Sequence, residues 1–569
     1  MKLNINKYMA GVMCSSLLAG TLASCDDFLS IVPLNEVVLE NYWTEKSDVT
    51  STVNACYSQL ASEDCIKRMM VWGELRSDNL INGAGTPYDL EQILKENLLE
   101  TNSYTTWLCF YQCINRCNTV LHYAPEVCQI DPNYTEAELH ATEAEMVALR
   151  SLCYFYLIRT FRNVPYVTEP SIDDTPDYRI PANTFDEVLN ACIADLERVK
   201  DYALRSYGED SEDNTARITR WGIYALLADM YLWRGDYQRC MDYCDLIIDW
   251  KIKEYERLEE DGDNDNIELY GKFPLISEAP NNVSNGGTTY NEIFGAGNSF
   301  ESLFELTYSE RETTENKGVK DFYGSTSQLN GQFSAPTYLF DQVLEGSNAY
   351  FKKTDCRFKE NMRDASSNIL ITKYVAQMVS YKLNTVSSAG NEVSRGYRSK
   401  NNANWIVYRL TDVMLMRAEA EVELAGNVEE GGALTQEQQD HYTRAFAHVI
   451  AVWKRANNKR TSKIDTLVVT DYNSSRMAME DLVLGERQRE LMFEGKRWFD
   501  LVRLCRREQS NTRMIDKVLP KFKQNTTAIR IRLTAQDALY YPYNRNELKA
   551  NPYLQQNPAY DNDNQFSKE

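Results

Sequence analysis

The sequence predicts a mostly α-helical fold built from helical hairpins, with a large irregular loop-rich insertion region and a few short strands. Apolar residues recur every three or four positions over long stretches, which favours amphipathic helices. Glycine, proline or capping residues stand where these stretches end, and segments rich in Asp, Asn, Gly and Pro separate some of them. With 43% hydrophobic and 25% charged residues, the chain of 569 residues is expected to be globular.

Four helices are predicted in the first part of the chain, over residues 47–60, 107–121, 143–161 and 185–203. Thr184 precedes the fourth helix and Glu187 follows three residues later, so their side chains can form a capping box. The third helix is expected to end before Pro165, because proline lacks the N–H group that a helix needs.

Two helical hairpins are predicted further along. Residues 218–250 favour two helices that meet at Gly235, and Ala225 and Ala228 are small enough to let the helices approach closely. This arrangement is typical of tetratricopeptide-like hairpins. A second hairpin is predicted over residues 408–455, with its turn at Gly426. Because the spacing between the hairpins is irregular, we expect helical hairpins with large insertions rather than a regular solenoid.

The insertions cover residues 261–308, 317–351 and 366–404. Residues 369–371 and 374–375 resemble short strands among polar turns. Long irregular loops in a compact domain are usually functional. Because the helices would form a rigid scaffold, we expect a ligand site on these loops.

The first residues have the features of an export signal. Lys2 and Lys7 precede an apolar run that ends in Leu22-Ala23-Ser24-Cys25. The run is shorter than the ~20 residues that a membrane-spanning helix needs. Its end resembles a bacterial lipobox, so Cys25 is predicted to become the lipidated first residue of the mature chain. The alternative is a simple secretory signal in which Cys25 has no special role.

The charge of the chain excludes some ligands. The formal net charge is −22, and it becomes −24 once Lys2 and Lys7 leave with the signal peptide. Such a surface repels nucleic acid and anionic lipid head groups, so no nucleic-acid partner is expected. A neutral ligand is favoured.

Twelve cysteines remain beyond Cys14 and Cys25, and their spacing is not that of a disulfide framework. Cys109, Cys113 and Cys117 recur every fourth residue and so fall on one stripe of a helix. We expect them to be small buried side chains rather than metal ligands.

Several segments, taken in order along the chain, resemble the SusD/RagB family of outer-membrane nutrient-binding lipoproteins. They include CDDFL, NYW, WGELRSDN, EAEMVALR, YRLTDVMLMRAEA and the longest, ERQRELMFEGKRWFDLVR, at residues 25–29, 41–43, 72–79, 143–150, 408–420 and 486–503. A tail with YP, NP and QNPAY at residues 541–542, 551–552 and 556–560 is similar as well.

The resemblance implies a largely helical fold with four tetratricopeptide-like helix pairs. It implies a lipoprotein signal peptide over residues 1–24, an N-terminal helical region over 25–240, and a C-terminal region with ligand-binding loops over 260–569, together forming one compact unit. It also implies a surface-exposed lipoprotein of the cell outer membrane, anchored by acyl chains such as palmitate at Cys25. Such proteins bind oligosaccharides or polysaccharides and deliver them to a TonB-dependent, SusC-like outer-membrane transporter, which the tetratricopeptide-like face is expected to contact.

A sugar-binding site needs flat aromatic rings for the apolar sugar faces and amide, carboxylate or guanidinium groups for the hydroxyls. Two segments offer both kinds of side chain, residues 78–88 and 290–338. The predicted ligand-binding residues are Asp78, Asn79, Asn82, Tyr88, Tyr290, Tyr323, Gln328, Phe333 and Tyr338. Each of them can equally have a structural role.

No catalytic constellation or cofactor is predicted. Glu486, Glu490 and Glu494 stand four residues apart, and paired carboxylates can hydrolyse glycosides. Arginines alternate with them, however, so we interpret the segment as a packed helix with ion pairs along it. The acidic run from Asp261 to Asp265 lacks the glycine and glutamate of an EF-hand, which leaves an irregular calcium site as a minor alternative.

Three other functions stay open at this point. Part of the family resembles peptide-capturing proteins, so a peptide is an alternative ligand. A surface glycosidase would release reducing ends from a polysaccharide. A plain helical scaffold would bind no ligand, and replacing Tyr88, Tyr323 and Phe333 with alanine would then change nothing in ligand capture.

Overall fold

The computed structural model describes most of the chain. The described residues are 42–172, 179–208, 212–264, 266–278, 285–309, 314–325, 330–341, 350–352, 354–365, 368–382, 393–427, 434–457 and 467–561. The predicted mostly α-helical fold is confirmed, with short strands gathered in the loop-rich region.

The longer helices form the frame of the molecule. They are α1 (Lys46–Leu60), α2 (Leu108–Ile130), α3 (Glu136–Phe161), α4 (Phe185–Val199), α5 (Arg220–Arg234), α6 (Tyr237–Asp261), α7 (Leu410–Ala425), α8 (Gln436–Ala456), α9 (Arg476–Leu491) and α10 (Arg497–Glu508). From α1 to α9 each helix packs against the next in chain order, which is the stacking expected of tetratricopeptide-like hairpins.

Local sequence explains where these helices begin and end. The side chain of Thr184 accepts a hydrogen bond from the Glu187 N–H, and Glu187 reaches back to Thr184, so the predicted capping box is confirmed. Thr135 and Glu138 form a second capping box, which starts α3 earlier than the apolar pattern predicts. Gly235 ends α5 with a φ of +80°, a left-handed conformation that favours glycine.

Eleven short strands pair in the described part of the chain, always antiparallel. They are β1 (Ile81–Asn82), β2 (Ile267–Tyr270), β3 (Phe273–Ile276), β4 (Asn285–Gly286), β5 (Ser302–Leu306), β6 (Phe333–Ser334), β7 (Met362–Asp364), β8 (Ile369–Ile371), β9 (Ala376–Lys382), β10 (Ser394–Tyr397) and β11 (Trp405–Arg409). The pairs are β1–β6, β2–β3, β5–β11 and β7–β8, and β9 lies between β4 and β10.

Short α-helices link the larger elements. Their ranges are Glu63–Met70, Tyr88–Leu94, Asp213–Ala216, Thr288–Tyr290, Lys317–Phe322, Thr337–Asp341, Arg357–Asn361, Thr512–Val518, Thr526–Leu533 and Arg545–Ala550. No helix in the described part of the chain combines the length and apolarity needed to cross a bilayer.

Two local predictions are wrong. The strand predicted at 374–375 is a turn in which Tyr374 has a φ of +68°, and β9 begins only at Ala376. The segment 486–503 is not one helix: it breaks between α9 and α10, where Phe493 and Gly495 have φ values of +67° and +71°. The apolar pattern continues through the break, so periodicity alone could not reveal it.

The break at Gly495 brings the N-terminal and C-terminal segments together. A Cβ atom on Gly73 would overlap the Gly495 carbonyl oxygen, so the two backbones are in direct contact. Next to this contact, the Glu74 carboxylate accepts hydrogen bonds from the backbone N–H groups of Phe493 and Lys496 at 2.9 and 3.1 Å. A buried carboxylate therefore satisfies N–H groups at the start of α10.

The twelve cysteines of the described chain are all free thiols, and eleven of them are buried. Cys109, Cys113 and Cys117 lie in the core on one face of α2. Their predicted packing role is confirmed.

Candidate functional site

The two segments predicted to bind a ligand meet in the structure. β1 pairs with β6, which places Asn82 opposite Phe333 and Ile81 opposite Ser334. The Tyr338 hydroxyl donates a hydrogen bond of 2.5 Å to the Asp78 carbonyl oxygen. Residues that are some 250 positions apart in sequence thus form one surface.

The loop between β1 and the helix Tyr88–Leu94 is held firmly against β6. The Gly83 N–H and the Thr86 hydroxyl both donate to the Gln332 carbonyl oxygen, at 2.9 and 2.6 Å. A Cβ atom on Gly83 would lie 2.6 Å from the Gly331 carbonyl oxygen, so only glycine allows this approach. The sequence prediction missed both Gly83 and Thr86, although a glycine directly after a strand often marks such a close contact.

Side chains with sugar-binding chemistry lie exposed on this surface. Tyr88, the first residue of its helix, keeps 64% of its surface exposed, and Asn82 of β1 is exposed as well. Asn330 is exposed, and Gln332 and Tyr338 are half-buried. We call Asn82, Tyr88, Asn330, Gln332 and Tyr338 the loop platform. An exposed aromatic ring beside several amide groups can stack on a sugar face and bond its hydroxyls.

Asp78 and Asn79 lie beneath the loop platform rather than on it. Asp78 is 5% exposed and forms a two-bonded ion pair with Arg497, at 2.8 and 2.9 Å. Burial alone would raise the pKa of the Asp78 carboxyl, but Arg497 holds this pKa below its usual value. Asn79 is fully buried and bonds both Glu74 and Gln488 at 2.7 Å. Their polar groups are paired inside the protein, so the structure assigns both side chains a role in packing beneath the loop platform.

Tyr290, Tyr323 and Phe333, which the sequence also suggested as ligand contacts, are each only 1% exposed and lie in the core. The Tyr323 hydroxyl donates to the Phe493 carbonyl oxygen at 3.0 Å, and that of Tyr290 lies 2.8 Å from the Thr372 carbonyl oxygen. The Phe333 ring packs against Phe322 at 4.8 Å between ring centres. Composition predicted that this segment is rich in aromatics, but it could not tell core rings from surface rings.

Two predicted site residues lie outside the described residues. They are the lipidation site Cys25, together with the signal peptide, and Gln328. Both stay predictions.

The acidic residues of segment 486–503 are structural. Glu490 binds Arg357, Arg409 and Arg455, and Glu494 binds Arg409 and Lys373. These pairs join separate elements, whereas the sequence predicted pairs along one helix. Burial alone would raise the pKa of Glu490, but the three arginines hold it well below its usual value. A carboxylate fixed in this way is a poor proton donor.

The acidic run at 261–265 shows no calcium site in its described part. Asp261 ends α6 and pairs with Arg257, and Gly262 terminates the helix with a φ of +79°. The described carboxylates of this run are not among the side chains that converge on a common point, and Asp265 lies outside the described residues.

A cavity of about 250 Å³ lies between the β2–β3 turn and helices α7 and α8. Its lining includes four basic side chains, Lys272, Arg417, Arg444 and Lys454. Arg417 and Arg444 both pair with the buried Glu421. A basic lining suits an anion better than a neutral sugar, so the loop platform is the better candidate for glycan binding.

The fold and the loop platform together define a class of protein: a stacked helical scaffold that presents a polar and aromatic surface on fixed loops. Comparison with known proteins identifies the class more closely. A model described as SusD family matches residues 297–560, and one described as "Starch-binding associating with outer membrane" matches residues 32–232. The two ranges together cover most of the chain. This chain belongs to the SusD family.

Individual relatives match this chain over nearly its whole length and nearly their own. SusD-like protein P38 of Formosa agariphila is 24% identical over 557 residues, which are 95% of this chain and 97% of the relative. A solved SusD superfamily protein of Bacteroides thetaiotaomicron has a TM-score of 0.64 at 16% identity and covers 90% of this chain and 100% of its own. Surface glycan-binding protein A from Bacteroides uniformis has a TM-score of 0.60 at 20% identity, covering 90% and 99%. At these identities the solved structures show a shared fold.

Proposed function

We propose that this protein is a non-catalytic, surface-exposed lipoprotein that binds oligosaccharides or polysaccharides at the outer membrane. The observation that carries the proposal is the loop platform, which combines the exposed ring of Tyr88 with the exposed amides of Asn82 and Asn330 on two paired segments. Membership of the SusD family and the fold shared with a surface glycan-binding protein support it.

The membrane anchor in this proposal is the lipid on Cys25. The support is the Leu22-Ala23-Ser24-Cys25 sequence at the end of the signal peptide and the family description that mentions association with the outer membrane. Several acyl chains give stable attachment without a spanning helix.

The proposed partner is a TonB-dependent, SusC-like transporter that receives the captured glycan. Family membership supports this partner, and the stacked helices α1–α9 offer an extended surface for it. Purification from the native outer membrane tests the partnership: we expect such a transporter to copurify in equal amount. Recovery of the protein without any such transporter under mild detergent would contradict the partnership.

A glycan panel tests the ligand. We expect at least one neutral oligosaccharide to raise the melting temperature of the purified protein, because a ligand that binds only the folded state stabilises it. A response to peptides and to no glycan would show peptide capture instead. No response to either class would leave the helical scaffold without a ligand and would contradict the proposal.

A reducing-end assay tests the absence of catalysis. We expect incubation with the bound polysaccharide to release no new reducing ends. Turnover would show a surface glycosidase, which needs a carboxylate pair flanking the scissile bond.

A further inference from the structure

A cluster away from the loop platform brings together three potential metal ligands. Glu278 follows β3 at the end of the β2–β3 hairpin, and Cys356 and Glu360 lie at the start and within the helix Arg357–Asn361. One ligand atom from each side chain lies within 4.8 Å of the other two. Glu278, Cys356 and Glu360 are only 1%, 7% and 4% exposed. Donors from two segments that are far apart in sequence therefore converge in the protein interior.

The two carboxyl groups are buried without an ion-pair partner in the described part of the chain. No lysine, arginine or histidine among the described residues forms an ion pair with Glu278 or Glu360, whereas the buried Glu301 and Asp355 of the same loop-rich region each pair with an arginine. One carboxylate oxygen of Glu278, Oε2, is buried with no hydrogen-bond partner. A buried carboxylate oxygen without a cation or a hydrogen bond is costly, so Oε2 points to a missing positive ligand.

Neighbouring groups hold the cluster in place. The Tyr381 hydroxyl lies 2.5 Å from Glu278 Oε1 and 2.9 Å from Glu360 Oε1, and the Gly287 N–H donates to Glu278. A Cβ atom on Gly286 would lie 2.5 Å from the Tyr381 ring and 2.7 Å from Glu278, so glycine keeps this space open. Hydrogen bonds that orient carboxylate ligands from behind are typical of metal sites.

We infer that Glu278, Cys356 and Glu360 bind one divalent transition-metal ion, with zinc as the best fit. A thiolate sulfur and two carboxylate oxygens are zinc ligands, whereas calcium and magnesium take oxygen ligands only. On binding, the metal forms one bond to each side chain, and the protons of the thiol and of any protonated carboxyl leave to solvent. A water molecule or the Tyr381 oxygen can complete four-coordination.

The ion would be a structural staple of the loop-rich region. It would connect the end of β3, the helix Arg357–Asn361 and, through Tyr381, strand β9. These elements share no residue with the loop platform, so the metal site and the glycan site can fail independently.

Cobalt titration of the purified, chelator-treated protein tests the inference. We expect one equivalent of Co²⁺ to produce a thiolate-to-cobalt absorption band in the near ultraviolet and tetrahedral d–d bands, and Zn²⁺ to remove both. We also expect Zn²⁺ to raise the melting temperature. A wild-type protein that shows no band and no stabilisation would overturn the inference and would leave Glu278 and Glu360 as a pair sharing a proton.

Single-residue variants test whether the metal binds at Glu278, Cys356 and Glu360. Cys356→Ser should abolish the charge-transfer band, and Glu278→Gln should weaken Co²⁺ binding at least tenfold. Cys128→Ser, at a half-buried thiol outside the cluster, is the matched control and should keep the band. A band that survives in Cys356→Ser, or disappears in Cys128→Ser, would also overturn the inference.

Discussion

Gly73 and Gly495 touch because neither carries a side chain, and this contact fixes the Glu74 carboxylate beside the start of α10. The Gly73→Ala variant should lose about 2–3 kcal/mol of unfolding free energy, because its Cβ would meet rigid backbone atoms. Urea unfolding measures the change.

Gly485→Ala is the control for Gly73→Ala. Gly485 lies within α9, and the nearest atoms to an added Cβ are side-chain atoms of Arg489 at 3.6 Å or more. Alanine should therefore stabilise by up to about 1 kcal/mol, as it does inside helices. Equal effects at the two glycines would contradict the close backbone contact.

The second prediction at the scale of single residues concerns the buried ion pair between Asp78 and Arg497. Arg497→Ala would leave Asp78 buried without its partner and should cost about 3–5 kcal/mol in chemical unfolding. Arg545→Ala removes a largely exposed partner of Glu100 and should cost less than about 1 kcal/mol. A small loss for Arg497→Ala would show that Asp78 is accessible to water and available to a ligand after all.

At the scale of elements, Asp412 ties three pieces of the frame together. It lies on α7 and pairs with Arg487 of α9 and with Lys496 just before α10, at 2.9 and 2.6 Å. Burial alone would raise the pKa of Asp412, but Lys496 and Arg487 lower it from 3.8 to about 2. The stabilisation that the Asp412 carboxylate gives the folded state is thus present above pH 4 and is lost as the pH falls towards 2.

The lowered pKa of Asp412 leads to a prediction about how stability depends on pH. Asp412→Asn should lower the unfolding free energy by about 2 kcal/mol at pH 7, and the gap between wild type and variant should narrow as the pH falls from 4 to 2. Asp516→Asn, in an exposed pair with Arg530, should change stability by less than about 0.5 kcal/mol at any pH. A gap for Asp412→Asn that stays constant with pH would contradict the assignment.

The same elements show how far the sequence can predict this fold. Helix periodicity and the turn at Gly235 were enough to predict the α5–α6 hairpin, because both depend on neighbours in the chain. The break at Phe493 depends on contacts with Glu74 and Gly73, more than 400 residues earlier, and has no local signal. For the same reason the sequence indicated the two segments of the loop platform but not which of their aromatic rings lie at the surface.

At the scale of the whole molecule, the proposed lipid anchor determines where the protein is found in the cell. If residues 1–24 are removed as predicted, the chain has a net charge of −24 and no electrostatic attraction to anionic lipid, so attachment should depend on Cys25. Cys25→Ala should move the protein from the membrane fraction to the soluble fraction. Retention of this variant in the membrane fraction would contradict lipid anchoring.

The central claim is that the loop platform binds a glycan, and calorimetric titration of the best oligosaccharide against two tyrosine variants tests it most directly. Tyr88 and Tyr553 are similarly exposed, at 64% and 60%, but Tyr553 lies outside the loop platform. Tyr88→Ala should weaken binding about tenfold, which corresponds to the roughly 1.4 kcal/mol of one stacked ring. Tyr553→Ala should leave the affinity unchanged. Unchanged affinity in Tyr88→Ala, or an equal loss in both variants, would contradict the claim.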